Sequence, residues 1–259
     1  MGYFLLRESM LDSLIRARDK YLKPKTGIMF PSHCEMYWAP INDKEERLCC
    51  QSEYVGSMGD WQAFVENTKD MYGVDMKCLE ERYHKEQDEY YNLSSRWAEL
   101  PHEAVLAEPC MLKRFDMATC TIQDSKGILP GNASKFSFAD VESPVMTEIS
   151  GFAGWFTADF KSRTDDEGKD APKVDNPVNL TTAPGPYTHW GQQVFGLKTP
   201  MILLPNEKTT VEGELEMYRC KTSARLYNVK VNYESFRMSK CSCSVLNRNG
   251  PVEIVYQMP

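Results

Sequence analysis

From Arg225 to Tyr233 the chain reads RLYNVKVNY, the stretch that most narrows what the polypeptide can fold into. Leu226, Asn228, Lys230 and Asn232 alternate with Tyr227, Val229, Val231 and Tyr233. Successive side chains of a strand point to opposite faces, so this is a strand with one wet face and one dry face. KFSFADV, SGFAGWFTADF, TPMILLP and VEGELEMYRC read similarly. Many short strands separated by turn residues predict a sandwich or barrel.

Two stretches break that pattern. Leu11, Leu14, Ile15, Arg18 and Leu22 fall at helical spacing, with Ser9 in the capping place and Pro24 and Gly27 ending the run. GIMFPSHCEMYWAPI then reads as strand, and a polar stretch follows to about Gly59. The segment DWQAFVENTKDMYGVDMKCLEERYHKEQDEYY predicts a helical pair. Asp60 caps a helix with Trp61, Phe64, Val65, Thr68 and Met71 on one face, and Gly73 closes it. The second helix carries Met76, Leu79 and Tyr83. The fold class is therefore mainly β with a helical insertion. Such an insertion needs something to pack on, and a partner subunit is one candidate. The stretch KSRTDDEGKDAPKVDNP (161–177) reads as a polar, charged loop.

Composition narrows the function classes. The 259 residues are 42% hydrophobic and 26% charged, the profile of an ordinary globular chain. No apolar run reaches the length of a membrane span, so no membrane partner is expected. A net charge of −7 argues against direct nucleic-acid binding and suits a partner rich in arginine or lysine. Nine scattered cysteines without a secretion signal read as reduced thiols. No two glycines stand two apart, so no dinucleotide-binding fingerprint exists, and there is no P-loop. CSC at 241–243 offers too few ligands for zinc, so no metal is expected.

Two local features bear on chemistry. PYTHWGQQVF (186–195) places Thr188, His189 and Trp190 together after a Pro-Gly-Pro turn. Taken alone, that is a loop whose tryptophan packs on a rim and whose histidine is solvated. Glu8, just before the first helix, is equally explained by the helix dipole.

Taken together they say more. MGY followed by ESML, with THW in a late loop, resembles the type I protein arginine N-methyltransferases. ARDKYLKPKTGIMFPS is similar to that family's helix and strand leaving the cofactor domain, and YGVDMKCLE to its dimerisation arm. SGFAGWF before THW most resembles the arginine methyltransferase 6 subgroup. The resemblance runs from Met1 to about Tyr233. It implies three parts: residues 1–23, the end of the double-glutamate loop and the following helix of a Rossmann-like cofactor domain; residues 24–259, a substrate-binding β-barrel; and residues 55–107, a helical dimerisation arm inserted in the barrel. In the family, a first glutamate and the S-adenosylmethionine-binding domain precede MGY. The expectation is a C-terminal segment that lacks that domain and is catalytically incomplete alone.

The resemblance also implies roles. The family moves a methyl group from S-adenosylmethionine to a guanidinium nitrogen of a peptide arginine. Guanidinium stays protonated below about pH 12, so it arrives charged and is a poor nucleophile. Carboxylates that clamp it can hold one nitrogen in line with the methyl group. By resemblance Glu8 and His189 are catalytic, and Tyr3, Met10, Thr188 and Trp190 bind the substrate arginine. Met10 also makes an edge contact with the cofactor. Implied partners are arginine-containing proteins, such as histones or glycine- and arginine-rich proteins, and a second subunit in a homodimer. The implied compartment is the nucleus, with the cytoplasm second. The alternative is a non-catalytic interaction or regulatory module that docks on an intact arginine methyltransferase. An unrelated β-rich binding domain ranks last.

Overall fold

The computed structural model describes residues 1–163, 171–240 and 245–259. The Cys-Ser-Cys motif lies outside the described residues, as does the middle of the charged loop at 161–177. Eleven described strands form two antiparallel sheets. They are β1 (His33–Ile41), β2 (Arg96–Ala98), β3 (Cys110–Asp116), β4 (Gly127–Ile128), β5 (Ser134–Val141), β6 (Thr147–Phe160), β7 (Val178–Thr181), β8 (Gln192–Leu203), β9 (Glu207–Arg219), β10 (Tyr227–Ser239) and β11 (Val245–Met258). One sheet runs β2-β8-β6-β1-β3, with β7 on β6; the other runs β11-β10-β9-β4, with β5 on β9.

The sheets share one core built on aromatic rings. Trp38 of β1 meets Phe136 of β5 at 6.4 Å and Phe152 of β6 at 5.2 Å between ring centres. Phe152 meets Tyr233 of β10 at 5.8 Å, and Phe195 of β8 meets Tyr256 of β11 at 5.4 Å. Offset and edge-on aromatic contacts of this kind stabilise beyond the area they bury. The dry face expected for β10 is present: Tyr227, Val229, Val231 and Tyr233 are all buried. The architecture is mainly β with a helical insertion. Among the described residues the strands pair as two sheets rather than as one hydrogen-bonded closed barrel.

Three helices complete the fold: α1 (Met10–Tyr21), α2 (Lys44–Tyr72) and α3 (Glu80–Asn92). Leu11 and Ile15 of α1 are buried against the sheets. Ser9 sits in the capping place but caps nothing. Its backbone is left-handed at φ +56°, and its hydroxyl donates to the Ala224 carbonyl instead. The insertion also begins earlier than the sequence suggests. α2 starts at Lys44, so Asp60 lies inside it and the stretch read as polar up to Gly59 is its first half. No residue of α2 is buried, which leaves no apolar stripe to mark its start. Gly73 does end the helix, with φ +70° and its N–H donating to the Lys69 carbonyl. The two helices are zipped by Trp61 on Tyr83, ring centres 4.4 Å apart. Their root is tied to the first sheet by Arg47 to Glu148 at 2.7 Å and Lys198 to Asp88 at 2.9 Å.

Candidate functional site

Residues 2–9 fold into a compact double turn at one end of the sheets. The Gly2 N–H donates to the Leu5 carbonyl at 3.2 Å, and the Arg7 N–H donates to the Tyr3 carbonyl at 3.2 Å. A side chain at Gly2 would strike the Arg7 carbonyl oxygen at 1.6 Å, so only glycine closes the turn. Phe4, Leu5 and Leu6 are buried and pin the turn to the core. Phe4 contacts Trp38 and Phe195, and its ring lies over Gly154 of β6, where a Cβ would meet it at 2.5–2.8 Å. Phe4, Leu5, Glu8 and Ser9 all have left-handed backbones, with φ between +46° and +77°. Non-glycine residues rarely adopt such angles, at about 1–3 kcal/mol each, and persist there only when surrounding contacts dictate them.

The Thr-His-Trp loop approaches this turn from β8. Tyr3 and His189 stack with ring centres 6.0 Å apart and planes 28° apart. The Trp190 indole N–H donates to the Met1 carbonyl at 2.8 Å, and its ring stands edge-on to buried Phe156 at 5.7 Å. Thr188 fixes the loop: its hydroxyl accepts from the Gly191 N–H at 3.2 Å. The Trp97 indole N–H on β2 braces it from outside, donating to the Trp190 carbonyl at 2.9 Å. Thus Tyr3 and the neighbouring pair His189 and Trp190, far from it in the chain, form one aromatic seam. His189 reaches the turn through Tyr3 and remains exposed at the surface.

Glu8 has two guanidinium partners, both at its Oε1. Arg7 Nη1 lies 3.9 Å from its carboxylate and Arg225 Nη2 lies 3.4 Å away. The Glu8 N–H also donates to the Arg225 carbonyl at 2.8 Å. The Arg7 guanidinium sits over the Tyr3 ring at 5.3 Å, a cation–π contact. Met10 opens α1, half of its surface exposed. Behind the site, Asp12 receives Arg219 through both oxygens, at 2.5 and 2.9 Å, and accepts the Ser125 hydroxyl at 2.6 Å. The Arg219 hydrogen bonds hold the Asp12 carboxyl below its ordinary value, against the opposing effect of burial.

Arg225, Trp97 and the Asp12–Arg219 pair escape a reading of the sequence. Arg225 comes from the β9–β10 turn, whose only signal is a short basic cluster, Arg219, Lys221 and Arg225, with nothing to show that it faces Glu8.

This fold and site define a class: a two-sheet domain with a helical hairpin, whose rim joins the turn that carries Glu8 to an aromatic loop. Residues 34–238 match the family described as the arginine methyltransferase oligomerization subdomain. The chain belongs to the protein arginine methyltransferase family. It is 38% identical over 240 residues to the protein arginine N-methyltransferase PRMT10 of Oryza sativa subsp. japonica, covering 90% of this chain and 58% of that protein. It is 32% identical over 234 residues to the protein arginine N-methyltransferase 6 of Danio rerio, covering 90% and 57%. The chain thus spans less than two thirds of the length of these relatives. The crystal structure of Arabidopsis thaliana protein arginine methyltransferase 10, described as a uniquely open conformation, superposes with a TM-score of 0.84 at 32% identity. That alignment covers all of this chain and 68% of the other.

Proposed function

We propose that this chain is the barrel-and-arm portion of an S-adenosylmethionine-dependent protein arginine N-methyltransferase. Its aromatic seam and Glu8 wall the slot that receives a peptidyl arginine. The observation that carries this reading is the stacking of Tyr3 on His189, which brings together the two motifs that identify the family. A planar guanidinium fits what the slot offers: a carboxylate that already holds two arginine side chains, and an aromatic face already under a third guanidinium contact. In this reading Glu8 orients the substrate guanidinium and draws positive charge from the reacting nitrogen. His189 keeps Tyr3 in place and adds a polar edge beside the carboxylate, and Trp190 and Thr188 hold the wall rigid. Met10 lines the slot at the start of α1.

S-adenosylmethionine supplies the methyl group in this chemistry. The described residues offer it one thioether contact, Met10, and no glycine-rich loop; they do not form a cradle for it. The finer assignments rest on the sequence resemblance: asymmetric dimethylation of the type I kind, histone or glycine- and arginine-rich substrates, residues 55–107 as a dimerisation arm, and a nuclear or cytoplasmic location.

A second reading is favoured by one observation. Glu8 is already engaged by Arg225, as it would be in a non-catalytic module that docks on an intact arginine methyltransferase. Peptide binding separates the two. In the catalytic reading, calorimetry of the 259-residue chain with a glycine- and arginine-rich peptide detects binding that Glu8→Gln weakens by at least about threefold. Arg225→Ala strengthens it by freeing the carboxylate. Equal binding of a lysine-for-arginine peptide, or no effect of Glu8→Gln, contradicts the slot.

A further inference from the structure

The end of β8 remote from Trp190 borders a cavity of about 330 Å³. Thr209 of β9 and Tyr233, Ser235 and Arg237 of β10 line it on one side. Pro200 and Met201 of β8 and Val252 of β11 give it an apolar wall. Tyr233, Ser235 and Arg237 continue the inward face that begins with Tyr227, Val229 and Val231, so the dry face of β10 turns polar in its last third.

Thr209 is 2% exposed, Ser235 3% and Tyr233 7%. Among the described residues, none of these three hydroxyls has a hydrogen-bond partner. Buried hydroxyls are nearly always paired, because leaving one unpaired forfeits its bonds to water. These three oxygens are not among the enclosed polar atoms left without a partner, so they open onto the cavity and offer their hydrogen bonds to whatever fills it. The walls are also irregular where the cavity opens. β8 advances from Gly196 to Met201 while its partner β6 moves only from Gly151 to Ile149. β11 carries an extra residue between Asn249 and Val252, opposite Ser235 and Tyr233. Bulges of this kind part neighbouring strands and recur beside binding sites.

The charge of the cavity is balanced: Arg237 Nη1 lies 3.3 Å from the Glu207 carboxylate. Neither an anion nor a cation gains a net Coulombic advantage there. We propose that the cavity binds a small neutral organic molecule, with a hydroxyl or amide head against Thr209, Tyr233 and Ser235 and an apolar body against Pro200, Met201 and Val252. Its volume falls at the lower end of ligand pockets, about 300–1,000 Å³. It would otherwise hold roughly ten waters at about 30 Å³ each, which is the competing occupant. The site lies at the opposite end of β8 from the Tyr3–His189 seam and does not depend on the arginine reading.

The test uses the whole chain with ¹³C-labelled methionine methyl groups, the Met201 signal being assigned through Met201→Leu. Benzyl alcohol, benzoate and benzylammonium share one apolar body and differ in charge. Benzyl alcohol is expected to shift the Met201 methyl resonance saturably and to bind more tightly than either ion. Ser235→Ala is expected to weaken that binding about threefold to tenfold. It should leave the melting temperature unchanged or raised, since this hydroxyl has no protein partner to lose. A cavity that holds water only, with no saturable shift from any probe, overturns the proposal. So does an ion that binds as tightly as the alcohol, or unchanged affinity in Ser235→Ala. Should Ser235→Ala unfold the chain, the ranking of the three probes on the unsubstituted chain decides: the alcohol binding more tightly than either ion supports the proposal, and any other order overturns it.

Discussion

Asp12 of α1 and Arg219 of β9 meet carboxylate to guanidinium through two hydrogen bonds, at 2.5 and 2.9 Å. This pair fixes the helix that begins two residues after Glu8 onto the second sheet, and Arg219 is itself held by the Tyr227 hydroxyl at 2.9 Å. Acidity should expose the coupling. Arg219 holds the Asp12 carboxyl below its ordinary 3.8, so the folded state gives up this charge less readily than the unfolded state. The stabilisation is therefore complete well above pH 3.8 and is lost as pH falls through the lower, folded value. Thermal unfolding at neutral pH should find Asp12→Asn less stable by about 1–3 kcal/mol. The gap from the unsubstituted chain should close on acidification below that range. A gap independent of pH contradicts the assignment.

The turn that carries Glu8 is pinned by Phe4 over Gly154, and the fit leaves no room for a methyl group. Gly154→Ala should destabilise the chain by about 1–3 kcal/mol through overpacking. Phe4→Leu, costly by itself, should cost less in the Gly154→Ala background. Urea unfolding of the four members of this double-mutant cycle checks it; strictly additive effects would mean that the two groups do not touch in solution.

The helical hairpin presents Val55, Met71, Tyr72 and Tyr90 more than three-fifths exposed. Large apolar groups left exposed along one hairpin mark an interaction face. Sedimentation velocity should show concentration-dependent association of the chain, reduced when Met71 and Tyr72 are both changed to lysine. A monomer at all concentrations, unaltered by those changes, counts against the face.

S-adenosylmethionine titrated into the 259-residue chain should give no micromolar binding, because the sequence offers no glycine-rich loop to hold it. A micromolar dissociation constant by calorimetry would require a cofactor site that these residues do not display.

β10 was legible because it has one buried face: Tyr227, Val229 and Val231 are buried where Asn228, Lys230 and Asn232 are not. The first half of α2 was not, because it buries nothing and carries Gly56 and Gly59, which read as breaks in a helix. Its root is held by Arg47–Glu148 and by the Asp43–Arg96 pair, contacts between residues far apart in the chain that no local pattern announces. The site divides the same way. Glu8, His189 and Trp190 stood out through motif resemblance, whereas Arg225 and Trp97 gain their meaning only from the fold that sets them against Glu8 and Trp190.

The central claim is that Glu8 and the Tyr3–His189 seam serve arginine methyl transfer. Its most direct measurement joins the cofactor domain of the Arabidopsis thaliana relative ahead of Met1 and follows methyl transfer from S-adenosylmethionine to a glycine- and arginine-rich peptide. The account predicts methylated arginine as the product. It predicts that Glu8→Gln and His189→Ala each lower the rate at least about tenfold, roughly 1.4 kcal/mol of transition-state stabilisation. The melting temperature should move little, since exposed positions such as His189 contribute within about 0.5 kcal/mol to folding. Full activity in both variants, or no methylation by a folded fusion when the relative's own C-terminal portion restores it, would contradict the account.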